Sequence, residues 1–235
     1  MSEPGPERSD RWNAPTAEPR IWRLMVEGEP EQRYFDHLMH LINRQPDLAP
    51  VDIQSVIGTA PRSYVRSLLR HCDPETSIEA DIYCVADVEG DHPHQIRLFE
   101  HRLAELRKAS EICAGIRFLL AYTNCDFELW IILHKIDFFR TVSRKGQYLK
   151  PLQDAFGSVR SIAQYKRQRN FARLLRQISL EDVKAAIGRA EAISRHRRLE
   201  GPPFKYCGYT YYRKNPSLSV DLLVREILLT AGMHF

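Results

Sequence analysis

Apolar residues fall along this chain in two alternating rhythms. Short, nearly unbroken runs at Ile21–Val26 (IWRLMV), Ala80–Ala86 (ADIYCVA) and Ile116–Tyr122 (IRFLLAY) read as buried strands, and Val51–Ile57 (VDIQSVI) alternates as a strand does before stopping at Gly58. Between these runs the spacing becomes helical. Pro30–Asn43 carries Tyr34, Phe35, Leu38, Met39, Leu41 and Ile42 at helix intervals, and Pro30 suits a first turn because its missing N–H would be unpaired there anyway. A second helix is predicted from Pro61, with Tyr64, Val65, Leu68, Leu69 and Cys72 on one face. A third carries Ile96, Phe99, Leu103 and Leu106, and Asp126–His134 (DFELWIILH) predicts a short, very apolar helix. Strand and helix alternate four times, the pattern of βαβ crossovers. The prediction is an α/β fold with a central parallel sheet of about four strands flanked by helices.

After Asp137 no further strand is predicted. Tyr165, Phe171, Leu174, Leu175 and Ile178 suggest one helix, and Ser179 with Asp182 forms a capping-box start for another that runs to about Leu199. A loop rich in Tyr and Pro (Gly201–Pro216) and an amphipathic helix (Ser219–Ala231) complete the pattern. Residues 1–20 hold four prolines and almost nothing to bury, which predicts a disordered tail. The expected organisation is that tail, an α/β domain over 21–136, and a helical, basic extension over 137–235 packed on the same domain.

Composition changes this picture little. With 43% hydrophobic and 27% charged residues, the 235-residue chain matches a globular protein and not a wholly disordered one. No apolar run approaches the roughly 20 residues that span a bilayer, so no membrane contact is expected. The five cysteines are scattered, odd in number and without CxxC spacing, which argues against zinc or disulfides and for reduced thiols in a cytoplasmic protein. Charge says more. Between Arg160 and Glu200, eleven Lys/Arg oppose four acids, about +7, and the remainder of this +4 chain is acidic. Such asymmetry suits a phosphate-binding protein, and also an ordinary solvated helix pair.

In an open parallel sheet, ligands gather at the carboxyl ends of the strands. Glu27, Glu29 and Glu31 follow the first strand, Gly58 and Thr59 the second, Asp87, Glu89 and Asp91 the third, and Thr123, Asn124 and Asp126 the fourth. Carboxylates held close together raise one another's pKa unless a cation neutralises them, and Mg²⁺ (or Mn²⁺) takes such oxygen ligands together with substrate phosphate oxygens. A bound metal there would suit phosphoryl transfer. The competing explanation is that acids collect where helix N-termini attract negative charge, which fits Glu29 and Glu31 better than Glu27 and Asp87. Asn124 could bond a phosphate or cap the next helix. Glu128, within an apolar helix, needs either site duty or a cationic partner. His134, on an apolar face, reads as a core histidine. Lys166, Arg167, Arg169 and Arg173 could track a sugar–phosphate backbone, as could Arg213 in the KYCGYTYYRK loop, whose tyrosines either stack bases or pack on the core.

Four segments resemble one known family. EGEPEQRYF looks like the EG-x-T-E-x-x-YF signature that opens RloB-like proteins, and IYCVADVEGDH resembles their VWCVFDRDxH stretch. YTNCDFELWIILH is close to their SNPCFELWLLLHF, and NPSLSVDLL matches their NPSTxVxxLL. That family, which includes the AbiLii component of a phage abortive-infection system, is similar to the Toprim domain. The resemblance implies a Toprim-like fold and a Mg²⁺-dependent nuclease acting on RNA (including tRNA) or DNA. Glu27 would sit at the metal with possible acid/base work, and Asp87 and Glu89 would stand for the family's D-x-D pair. Glu31 aligns with the second signature glutamate. It also implies a toxic effector of anti-phage defence beside an ATPase partner, in an assembly that could be oligomeric. Pro30 replaces the family threonine, Val88 a frequent arginine and Glu89 the second aspartate, whose extra methylene Asp91 could offset. These departures leave open a decayed site that binds nucleic acid or a nucleotide without cutting, or a subunit devoted to assembly.

Overall fold

The computed structural model describes residues 19–70, 79–157 and 159–235. The predicted tail, apart from its last two residues, lies outside them, as does Cys72. Strand β1 (Arg20–Val26) leads into helix α1 (Glu29–Asn43), then β2 (Val51–Ile57), α2 (Pro61–Arg70), β3 (Ala80–Asp87), α3 (Pro93–Ser110), β4 (Ile116–Asn124) and α4 (Glu128–Leu133). β2, β1, β3 and β4 lie side by side and parallel, as the alternating pattern predicts. Register brings their carboxyl ends level: Val26 pairs with both Ile57 and Val85, and Asp87 pairs with Thr123.

The C-terminal part is more broken, and less purely helical, than predicted. A short 3₁₀ turn (Lys145–Tyr148) precedes α5 (Leu149–Phe156), α6 (Ile162–Tyr165), α7 (Gln168–Leu175) and the long α8 (Leu180–Glu200). The single helix expected around Tyr165–Ile178 is therefore two, with Arg167 as the extended N-cap of the second. Strands also continue beyond Asp137. Phe204–Tyr206 (β5) and Tyr209–Tyr211 (β6) form a hairpin whose turn places Cys207 and Gly208 at positive φ. Ser217–Leu218 (β7) then pairs antiparallel with Thr123 and Asn124, making the fifth strand of the main sheet, and α9 (Val220–Thr230) follows. A two-residue strand has no hydrophobic period to read, so it left no trace in the sequence pattern.

One face of the sheet packs against a core that joins Leu24, Phe35 and Trp130 of the α/β part to Phe171, Ile187 and Val224 of the later helices. The opposite face packs Ile82, Phe99 and Leu103 with Tyr122 and Tyr211. His134 is the core histidine expected: its Nε2 lies 3.1 Å from the Tyr34 hydroxyl and its Nδ1 2.9 Å from the Trp130 carbonyl. Burial lowers its pKa to about 4. Among the described residues no helix is long and apolar enough to cross a membrane.

Asp221, in the first turn of α9, is buried and its Oδ1 has no hydrogen-bond partner. Burial pushes its carboxyl from 3.8 up to about 7. The folded chain therefore keeps a proton that the unfolded chain sheds, and the stability this gives is complete below about pH 4 and is lost as pH rises towards 7. Asp221→Asn removes that dependence. Urea titrations from pH 4 to 7 are expected to show the variant gaining on wild type by up to about 1.4 kcal/mol per pH unit. Parallel curves would mean that Asp221 ionises normally.

Candidate active site at the strand ends

The site begins where β1 runs out. Gly28 caps α1, and Glu31, three residues on, turns back so that its Oε2 accepts the Gly28 N–H at 3.0 Å. A Cβ on residue 28 would lie 3.3 Å from that same oxygen, so glycine is what lets the carboxylate close in. Glu29 points outward, exposed, and pairs with Arg33 at 3.1 Å, the ordinary helix-entry role. Glu31 does both jobs at once: it caps α1, yet it is buried and faces the acids of the neighbouring strands.

Asp87, the last residue of β3, sits among those acids. Its backbone N–H donates to Glu27 Oε1 at 3.0 Å, and its Oδ1 accepts from the Thr123 hydroxyl. The residue keeps some exposed surface, but its carboxyl is surrounded by protein and holds its proton well above the usual carboxylate range. Burial is the main cause, followed by the negative charges of Glu31 and Asp126, and then Glu128; the Thr123 hydrogen bond opposes them. Glu31 is raised as well, by burial and by Glu128, against the pull of its backbone hydrogen bonds and Lys166. Four carboxyl groups, from β3, α1, the β4–α4 junction and α4, thus feel one another in a largely dry nest.

Two lysines from the C-terminal part reach into it. Lys145 Nζ lies 2.5 Å from Asp126 Oδ1, and Lys166 Nζ lies 2.9 Å from Glu128 Oε1. Asp126 and Glu128 are 6% and 2% exposed at their side chains, whereas their lysines remain partly open to solvent. Lys166 is close enough to pair its charge with Glu128 but not aligned for a hydrogen bond, and both Glu128 oxygens lack such a partner. A third cation, Arg102 on α3, donates to Glu27 Oε1, so this glutamate is held by an internal guanidinium.

The predicted residues are distributed as follows. Glu27, Asp87, Glu31 and Glu128 come together, joined by Asp126, which had been read only as a strand-end residue. Glu89 and Asp91 lie on the exposed β3–α3 loop, with Glu89 at φ +62 and its N–H bound to the Cys125 carbonyl. Neither carboxylate makes an ion pair or hydrogen bond with the nest among the described residues, while the Asp91 charge still reaches Cys125 beside Asp126. Among the described residues, no three His, Cys, Asp or Glu side chains converge tightly enough to grip an ion. The donor chemistry nevertheless fits a hard cation: the nest offers carboxylates only, and Glu128 carries two buried oxygens without hydrogen-bond partners. Cys125 adds no soft ligand, since burial first, and then Asp126, pushes its thiol up to about 12, and its Sγ lies 2.9 Å from the Val142 carbonyl.

Two nucleic-acid candidates have structural roles instead. Asn124 is fully buried, and its Nδ2 donates to the carbonyls of Tyr212 (3.3 Å) and Arg213 (2.9 Å), so it neither caps α4 nor meets solvent. Arg213 stacks 3.8 Å above the Phe204 ring and donates to Glu100 at 2.6 Å, a carboxylate shared with the Tyr211 hydroxyl. Tyr211 itself packs between Phe99 and Tyr122. Lys166 is committed to Glu128. Arg167, Arg169 and Arg173 are exposed and have no ion-pair partner among the described residues. Arg102, Asp126 and Lys145 were missed because each matters only through a partner that folding brings near.

A family model described as RloB-like protein matches residues 23–227. No curated protein and no solved structure matches the chain.

Proposed function

Because the chain belongs to the RloB-like family, we propose that it is a metal-dependent nuclease, hydrolysing phosphodiester bonds of RNA or DNA at the acid nest. The observation that carries this reading is the set of four crowded carboxyl groups at the strand ends, two of them, Asp87 and Glu31, held above their ordinary pKa by burial and by the neighbouring acids. A divalent cation with a substrate phosphate would favour the anionic forms that burial and the neighbouring acids disfavour. Asp87 and Glu27 would hold Mg²⁺ or Mn²⁺, with Glu31, Asp126 and Glu128 close by. The bound ion would supply an activated water and charge neutralisation on the phosphate.

The chain's own groups prepare that site. The Thr123 hydroxyl and the Asp87 N–H fix the two leading carboxylates on the ends of adjacent strands. Lys145 stays cationic: burial works against its charge, but the contact with Asp126 outweighs it and raises its pKa. Half-exposed at the rim, it can turn from Asp126 to an incoming phosphate. Arg167, Arg169 and Arg173 offer unpaired charge to the rest of the strand. A toxic role in phage defence, beside an ATPase partner, is part of the same proposal and rests on family membership alone.

The test is metal removal. Purified protein incubated with labelled tRNA and with plasmid DNA is expected to cleave one of them in Mg²⁺ or Mn²⁺ and neither in EDTA. Absence of cleavage in every metal tried would favour the second reading, a subunit that binds nucleic acid without cutting. The Arg102 guanidinium on Glu27 is the observation that favours that reading, because an internal cation already satisfies this glutamate.

A further inference from the structure

Beside the acid nest, a cleft of about 770 Å³ lies between α5, α6 and α7. Its rim carries Arg160 and Arg173, both exposed and neither with an acidic partner among the described residues. Its wall carries three side-chain amides. Gln153 Nε2 donates to the Val159 carbonyl at 2.9 Å, and Asn170 Nδ2 donates to the Gln164 carbonyl at 2.7 Å. Each bond fixes its amide so that the carbonyl oxygen, Gln153 Oε1 or Asn170 Oδ1, has no partner among the described residues. The Gln164 side chain makes no hydrogen bond among the described residues, and Leu174 adds an apolar surface. Unpaired guanidinium groups above anchored acceptors and an apolar wall are complementary to a nucleotide. The phosphate meets arginine, and an exocyclic base amine meets the fixed carbonyls.

The cleft adjoins the acid nest. Tyr165 lines it, and that hydroxyl is raised by burial and by the charges of Glu128, Glu31, Asp87 and Asp126. The next residue, Lys166, is the one paired with Glu128. One dipeptide therefore forms the partition between the two.

We infer that this cleft is a nucleotide subsite for a single-stranded substrate, holding an unstacked base beside the scissile phosphate, with Arg160 and Arg173 on the flanking phosphates and Gln153 and Asn170 on the base edge. This rests on the nuclease reading, and it adds a preference: adenine and cytosine present an exocyclic amine to the fixed acceptors, and uracil and thymine do not.

The test is binding under conditions that prevent cleavage. Fluorescence anisotropy of labelled twelve-nucleotide strands, as RNA and as DNA, is measured with the full chain in EDTA. Arg160→Ala/Arg173→Ala is expected to weaken binding at least tenfold and to reduce the slope of log affinity against log salt by about 1.4, two single-strand phosphate contacts. Arg195→Ala/Arg198→Ala removes equal charge from an exposed stretch of α8 and is expected to weaken binding less than threefold. Gln153→Leu/Asn170→Leu gives up the two amide-to-backbone hydrogen bonds and so lowers the melting temperature modestly, and it is expected to abolish a preference for oligo(A) over oligo(U) at a temperature where a thermal melt shows the variant folded. Equal weakening by both arginine pairs would overturn the subsite, as would an unchanged base preference in the amide variant or failure of RNA and DNA alike to bind. Cleavage that fails while these binding differences hold would sink only the nuclease reading.

Discussion

Asp87→Asn is expected to reduce metal-dependent cleavage by roughly 1,000-fold or more, and to do so without unfolding the protein. The substitution keeps the shape of the side chain, and the Asn oxygen can still accept the Thr123 hydroxyl. What it removes is the ability to become an anion at the point where β3 ends among Glu31, Asp126 and Glu128. In the apo protein that loss is mild, because burial and the neighbouring acids already disfavour the Asp87 anion. With metal and phosphate bound it is severe, because a neutral amide balances no cation charge. Single-turnover cleavage and a thermal melt, run side by side, separate these. Activity within tenfold of wild type, with an unchanged melt, would remove Asp87 from the machinery.

Lys166→Met is expected to destabilise the fold by about 3 kcal/mol, the low end for a broken buried pair, because the lysine itself is about a third exposed. The loss does not come from the value of the ion pair as such. It comes from leaving Glu128, at 2% exposure and without a hydrogen bond, as an uncompensated charge or as a carboxylic acid with no acceptor. The double variant Lys166→Met/Glu128→Leu should therefore recover most of that stability while losing nucleolytic function. Urea unfolding of both variants decides the matter. A double variant no better than the single one would show that the lysine acts through packing of its aliphatic stem and not through charge.

Much of the scaffold was legible because local patterns specified it. IWRLMV, ADIYCVA and IRFLLAY are too apolar to lie anywhere but in a covered sheet, and each stops at a polar residue, so Glu27 and Asp87 could be placed at strand ends before any coordinates. The remainder depends on contacts that no window contains. Glu89 looked equivalent to a metal ligand by spacing, and its left-handed backbone and exposed side chain are features that spacing does not carry. Arg213 and its tyrosines looked like a binding loop until Glu100, on a distant helix, took the polar ends of Arg213 and Tyr211. Asp126 stood beside Asn124 in the sequence without distinction. Lys145, from a 3₁₀ turn with no periodic signal, is what marks it.

The last strand has a consequence for when the protein can act. Thr123, which holds Asp87, sits in a stretch of β4 whose outer edge is closed by Ser217 and Leu218 of β7. The neighbouring Tyr122 N–H is likewise bound by Ser219 Oγ, at 3.1 Å and across 97 residues of chain. A ribosome adding 5–20 residues per second needs roughly 5–20 s to cover that distance. Throughout that interval the nascent chain carries its acids on an unfinished sheet. On the proposed nuclease reading, the order of synthesis would act as a safety catch, because the edge of β4 beside Asp87 is closed only once Ser217–Ser219 have been made.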